Sequence, residues 1–276
     1  GYLDGLPTDR RPASGLLAVA APVRGDAVRM INIDWRFSAD SLRRALGLER
    51  LSLLNDFEAL ALGLPGFGPS DLLPIGGGTA LAERPKAVLG PGTGLGVASL
   101  VPAGHDCGWL AVSGEGGHVT LPAVTPYEDR LIAAVRKRYG HCSAERLISG
   151  PGLALLHATL HGTTAGDAAA IAALADAGDQ QAQTTFGIFF ELLGTVASNL
   201  ALTIGAFGGV YIGGGIIPRH AERFVASGFR RRFESKGRYG DYLKSIPTWL
   251  IVAEQPTLSG LATAVKAGTA RVLPDA

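Results

Sequence analysis

The chain of 276 residues carries 25 Lys and Arg against 24 Asp and Glu, a net charge of +1 at pH 7, with 47% apolar and 18% charged residues. This composition excludes a disordered chain and supports one large domain or two ordinary ones with real cores. It leaves no long-range field to draw the chain to nucleic acid or an anionic membrane, so function must be argued from a site.

Residues 2–11 carry both signs of charge and few apolar side chains, and do not read as a signal peptide. Leu16–Val23 is an apolar run ending in a Pro-Val-Arg-Gly-Asp turn, and Val28–Trp35 predicts a second strand. Ser38–Leu46 reads as a helix capped by Ser38, and Leu51–Leu54 as a buried strand. In "LLNDFEALALGLP" (53–65), Asn55 and Asp56 stand at the foot of an apolar helix, where short polar side chains serve as caps. The open question is whether the Asp56 carboxylate only caps or also takes a proton. The Gly- and Pro-rich stretch 64–85 predicts a hinge or domain boundary.

Glycine is the outlier, at 39 residues about twice its usual share of roughly 7%. "AVLGPGTGLGVASLV" (87–101) reads as strand, glycine turn, strand. No Lys-Ser or Lys-Thr follows, so it is not a P-loop, and the spacing misses the dinucleotide fingerprint. A hairpin tip of small residues with Thr93 can offer backbone N–H groups and a hydroxyl to phosphate, or be an ordinary tight turn. In "SGEGGHVTL" (113–121) the paired glycines argue against a helix, placing Glu115 and His118 on a loop. There they can hydrogen-bond several hydroxyls or satisfy each other.

Thr125–Tyr139 predicts a helix with Leu131, Ile132 and Val135 inward. "HCSAERLISGPGL" (141–153) reads as a short helix capped by Ser143 and ended by Gly150, with Glu145 favoured by the helix dipole. Ala165–Ala177 reads as a surface helix. The apolar segment 186–217 exceeds a membrane span, but Glu191, Ser198, Asn199 and the break at Gly208–Gly209 favour a buried helix feeding a buried strand. That strand runs into Gly213–Gly215, bare backbone against which a flat ring could lie, or close packing. In 224–244 the apolar stripe Phe224, Val225, Phe229 and Phe233 leaves the arginines as a solvated face. Cys107 and Cys142 make neither a disulfide framework nor a zinc pattern, which suits a reducing, cytoplasmic compartment.

Six stretches, in order "LLNDFEALALGLP", "GPGTGLGVASLV", "SGEGGHV", "SAERLISGPGL", "GGVYIGGGIIPR" and "SGFRRRFESKGR", together resemble the bacterial glucokinase family of the actin-like sugar kinase and hexokinase superfamily. "AVAAPVRGD" and "INIDW" look like the family's approach to its catalytic residue. The resemblance implies an α/β fold, a two-domain actin-like ATPase (ribonuclease H-like) with a cleft between a small domain, 1–66 plus 257–276, and a large one, 67–256. It implies that Asp56 is the catalytic base, that Asn55, Glu115, His118 and Glu145 bind the hexose, and that glucose and ATP are the substrates. Gly90, Gly92, Thr93 and Gly94 would form the second phosphate loop, and Gly213, Gly214 and Gly215 part of the adenosine site. Mg2+ would accompany ATP with no protein metal cluster, and the protein would act as a cytoplasmic homodimer without nucleic-acid or membrane partners.

The departure is the family's D-x-G-G-T-x-x-R hairpin, which does not occur; the likeness starts at about Tyr2. The small domain is therefore expected to lack strands, with catalysis weakened or absent. The competing expectation is a non-catalytic sugar-binding or regulatory protein. A nucleotide-dependent oxidoreductase lacks its fingerprint.

Overall fold

The computed structural model describes residues 2–23, 25–30, 34–104 and 108–266. Arg24, Cys107 and the Ile31–Ile33 part of "INIDW" lie outside them, as does the chain beyond Lys266. The chain forms two compact units, one built from residues up to Phe67 and from Glu254 onward, the other from Gly68–Ala253.

In the first unit, β1 (Ser14–Val19) is followed by β2 (Ala27–Arg29), β3 (Arg36–Ser38), α1 (Ala39–Ala45), β4 (Arg50–Asn55) and α2 (Asp56–Gly63). β1 and β4 run parallel, with Val19 opposite Asn55. Val28–Trp35 is not one strand. The chain doubles back, Val28 pairs with Phe37 across an antiparallel β2–β3 hairpin, and the Met30 N–H donates to the Trp35 carbonyl. That turn lets Val28 bury fully with Val19, Ala21 and Leu53, while Trp35 stays exposed. The Ser38 hydroxyl caps α1 by accepting from Ser41 N–H at 3.0 Å. The last helix, Pro256–Lys266, packs so closely on α2 that a Cβ at Gly260 would collide with the Ala59 carbonyl.

The second unit opens with β5 (Leu72–Pro74), β6 (Lys86–Pro91), β7 (Leu95–Pro102) and β8 (Trp109–Gly114). Then come α3 (Pro126–Tyr139), α4 (Ala144–Leu147), α5 (Gly150–His161), α6 (Ala168–Asp176) and α7 (Gln180–Ile204). It closes with β9 (Val210–Ile212), α8 (Ala221–Val225), α9 (Phe229–Glu234), α10 (Gly240–Lys244) and β10 (Thr248–Ile251). One mixed sheet runs β5-β10-β9-β6-β7-β8, parallel through β10, β9 and β6 and antiparallel elsewhere. α7 is long and apolar enough to cross a membrane by length and composition alone. Here it is the core helix, with Phe186, Phe189, Phe190, Leu192 and Leu193 buried beside β9 and α9.

Two further sequence expectations change. Gly150 does not end a helix but begins α5, because Ser149 accepts from Gly152 N–H and Pro151 suits the first turn, where no N–H is needed. Nor is the basic run a solvated face throughout, although Arg231 and Arg238 are exposed. Phe224, Phe229 and Phe233 are fully buried, but Val225 is exposed, and the Arg230 and Arg232 side chains are only 14% and 10% exposed. Arg232 Nη1 donates to Glu128 Oε1 at 2.6 Å and Nη2 to Glu191 Oε2 at 2.9 Å. Glu128 is buried, and a buried carboxylate without such a partner would be costly.

Candidate functional site

β6 and β7 form a tight antiparallel hairpin in which Gly90 faces Gly96 and Pro91 faces Leu95, leaving Gly92, Thr93 and Gly94 as its tip. Thr93 is exposed, and among the described residues neither its N–H nor that of Gly94 has a backbone partner. Gly213 N–H donates to the Leu89 carbonyl at 2.9 Å and Ile216 N–H to the Pro91 carbonyl at 3.2 Å, so the triple glycine lies along the hairpin. Gly214 has φ +84, and a Cβ there would strike the Pro91 carbonyl. Only glycine combines that dihedral with that approach.

Glu145 meets the same hairpin from α4. Ser143 caps α4 by accepting from Arg146 N–H, and Glu145 in the first turn turns its carboxylate to the hairpin, where Oε2 accepts from Leu95 N–H at 2.8 Å. The carboxylate lies over Gly94, whose missing Cβ provides the space. Glu115 and His118 follow β8 on a single 3-10 turn, Gly116–His118, rather than an open loop. In that geometry positions i and i+3 eclipse, which brings both side chains to one side. The Val119 carbonyl accepts from Ala144 N–H at 2.9 Å, fastening this turn beside α4. His118 Nε2 stands 3.9 Å from Glu115 Oε2 and 3.7 Å from Glu145 Oε1. Those separations exceed a hydrogen bond, and all three groups are part-exposed, leaving acceptors and a ring nitrogen open to a polyhydroxyl ligand.

Other titratable groups nearby are structural. Burial pushes the Cys142 thiol above its ordinary range and the Tyr211 hydroxyl up to about 12. Neither is poised for proton transfer at neutral pH.

Asn55 and Asp56 belong to the first unit. The cap of α2 is Asn55, whose Oδ1 accepts from Phe57 N–H at 2.9 Å and Glu58 N–H at 3.3 Å. Asp56 is the first helical residue, half-buried, with Oδ1 3.0 Å from the Phe57 N–H. Both side chains therefore engage the first turn of α2. Within the second unit the structure brings Glu115, His118, Glu145, the 90–94 hairpin and Gly213–Gly215 together. Sequence reasoning missed Ser149, although Ser-Gly-Pro is a recognisable helix start.

The chain matches the family model described as Glucokinase over residues 2–268. It is 49% identical over 260 residues to a glucokinase of Aromatoleum aromaticum, covering 92% of this chain and 78% of that one. A crystal structure of glucokinase from an Antarctic psychrotroph is similar with a TM-score of 0.80 at 37% identity, covering 91% of this chain and 79% of that one. A glucokinase from Balamuthia mandrillaris in complex with glucose shares the fold, with a TM-score of 0.77 at 21% identity over 91% of this chain and 77% of that one.

Proposed function

Since the chain belongs to the glucokinase family, with its actin-like sugar kinase fold, we propose that it transfers the γ-phosphoryl group of ATP to the 6-hydroxyl of glucose. The observation that supports this most directly is the cluster of Glu115, His118 and Glu145 beside a glycine hairpin with open N–H groups. Hexose binding needs several oriented acceptors and donors, and phosphate binding needs bare backbone, and both occur side by side in one unit.

Phosphoryl transfer asks mainly for positioning and charge stabilisation. In our reading Glu115, His118 and Glu145 hold the ring hydroxyls, with the Asn55 amide as a further contact through its second Nδ2 hydrogen, since Oδ1 serves the cap and Nδ2 already donates to the Ala21 carbonyl at 3.4 Å. Asp56 accepts the proton of the 6-hydroxyl as the O6–P bond forms and the bond from phosphorus to ADP breaks, an assistance of about 10²–10⁴ in rate. Gly90, Gly92, Thr93 and Gly94 receive the phosphates, and Gly213–Gly215 the adenosine. When bound with ATP, Mg2+ neutralises charge on the phosphates. Among the described residues no group of three or more His, Cys, Asp or Glu could hold it. We place the protein in the cytoplasm, a reading supported by ATP as the donor, and as a homodimer, a reading that rests on the family resemblance alone.

The test is ATP-dependent formation of glucose 6-phosphate by the purified protein. Product formation that requires both substrates is the expected result; tight glucose binding with no product would favour a sugar-binding protein instead.

A further inference from the structure

The tip of the glycine hairpin is fastened on both sides to the segment that carries Glu145. On one side Gly150 N–H donates to the Gly92 carbonyl at 2.8 Å; on the other, Leu95 N–H donates to the Glu145 carboxylate at 2.8 Å. Ser149 joins these attachments. Its hydroxyl donates to the Glu145 carbonyl at 2.8 Å and accepts from Gly152 N–H at 3.1 Å. At 3% exposure Ser149 is too buried to touch a substrate, yet it holds the backbone from which Glu145 projects and the helix start from which Gly150 reaches the hairpin.

We propose that Ser149 and Gly94 are positioning residues that couple hexose binding to nucleotide binding through the Glu145 carboxylate. The proposal rests on the reading in which Glu145 holds a hexose hydroxyl and the hairpin receives phosphate. One Glu145 oxygen is engaged by the hairpin and the other faces His118. A hydroxyl bound to that carboxylate fixes the acceptor of the Leu95 N–H, and so orders the strand end beside the tip. Phosphate bound at the tip fixes the donor, and so orders the carboxylate. Such coupling is reciprocal by thermodynamic necessity.

Gly94 gives the sharpest test. A Cβ there would meet Glu145 Oε2, the free end of a flexible side chain, and Gly94 does not occupy the left-handed region. Gly94→Ala therefore displaces the carboxylate without straining the backbone.

Glucose affinity is measured by calorimetry, without nucleotide and then with saturating β,γ-imido-ATP and Mg2+, for the parent protein, Gly94→Ala, Ser149→Ala and Glu145→Gln. The parent should bind glucose at least about fivefold more tightly with the analogue present. Gly94→Ala should weaken glucose roughly tenfold even with no nucleotide present, the effect of one lost charge-assisted contact, and bring the ratio toward one. Ser149→Ala should lower the same ratio, which a mere helix cap would not move, and it decides the matter alone if Gly94→Ala does not fold. A parent ratio of one, or a variant ratio equal to the parent's, overturns the coupling even if Glu145→Gln weakens glucose. Unchanged glucose affinity in Glu145→Gln would instead remove Glu145 from the hexose site, and the coupling with it.

Discussion

At the scale of single residues, the site depends on which polar atoms are already engaged. Asn55 and Asp56 look interchangeable as caps in sequence, and the structure shows that Asn55 accepts from both Phe57 N–H and Glu58 N–H while Asp56 shares the first. Glu145 is similar: its place in a first turn would be explained by the helix dipole, but its carboxylate leaves that helix to meet Leu95. Among the described residues Glu115 has no such attachment, and its charged neighbour is His118, at 3.9 Å. Glu115→Gln replaces a strong acceptor by a weaker one, and glucose titration should show affinity reduced about tenfold, with the fold intact. An unchanged titration would remove Glu115 from the site.

At the scale of elements, what could be read in the sequence was local. The β6–β7 hairpin was legible because glycine punctuates two apolar strands, and α1 and α3 because a Ser and a Thr stand before helical periodicity. The burial of Arg232 was not legible. Its partners Glu128 and Glu191 are far away in the chain, and a run of three arginines ordinarily covers a solvated face. Here α9 turns that arginine inward between α3 and α7, where Glu128 Oε2 also accepts from Val124 N–H at 2.7 Å. Glu128→Ala would leave the Val124 N–H unpaired and the buried Arg232 guanidinium held by Glu191 alone among carboxylates. We expect a loss of about 2–3 kcal/mol in chemical denaturation, against little change for a substitution of the exposed Arg231. A loss below about 1 kcal/mol would mean that water replaces the carboxylate.

At the scale of the whole molecule, one buried and one part-buried histidine tie stability to pH. Burial first, then the neighbouring His161, holds His157 below its ordinary range, with Asp179 opposing; burial and Arg223 do the same to His220. The His157 Nδ1 and His161 Nε2 both lie against the Thr185 hydroxyl, at 3.0 and 3.2 Å. A depressed folded value means that the unfolded chain takes up protons first. Stability should then be full above about pH 6.5 and fall as the pH drops below it toward the depressed values. Thermal unfolding between about pH 8 and pH 5 should show that slope, and His157→Asn should flatten it. Equal slopes in both proteins would assign the pH dependence elsewhere.

Asp56 lies in the first unit and the cluster of Glu115, His118 and Glu145 in the second, so one variant asks whether they serve the same reaction. That measurement is steady-state glucose 6-phosphate formation by Asp56→Asn beside the parent, with glucose affinity measured on both. Affinity within about threefold and turnover reduced by about 10²–10⁴ are the expected result. Turnover within a few-fold of the parent at equal glucose affinity would contradict it.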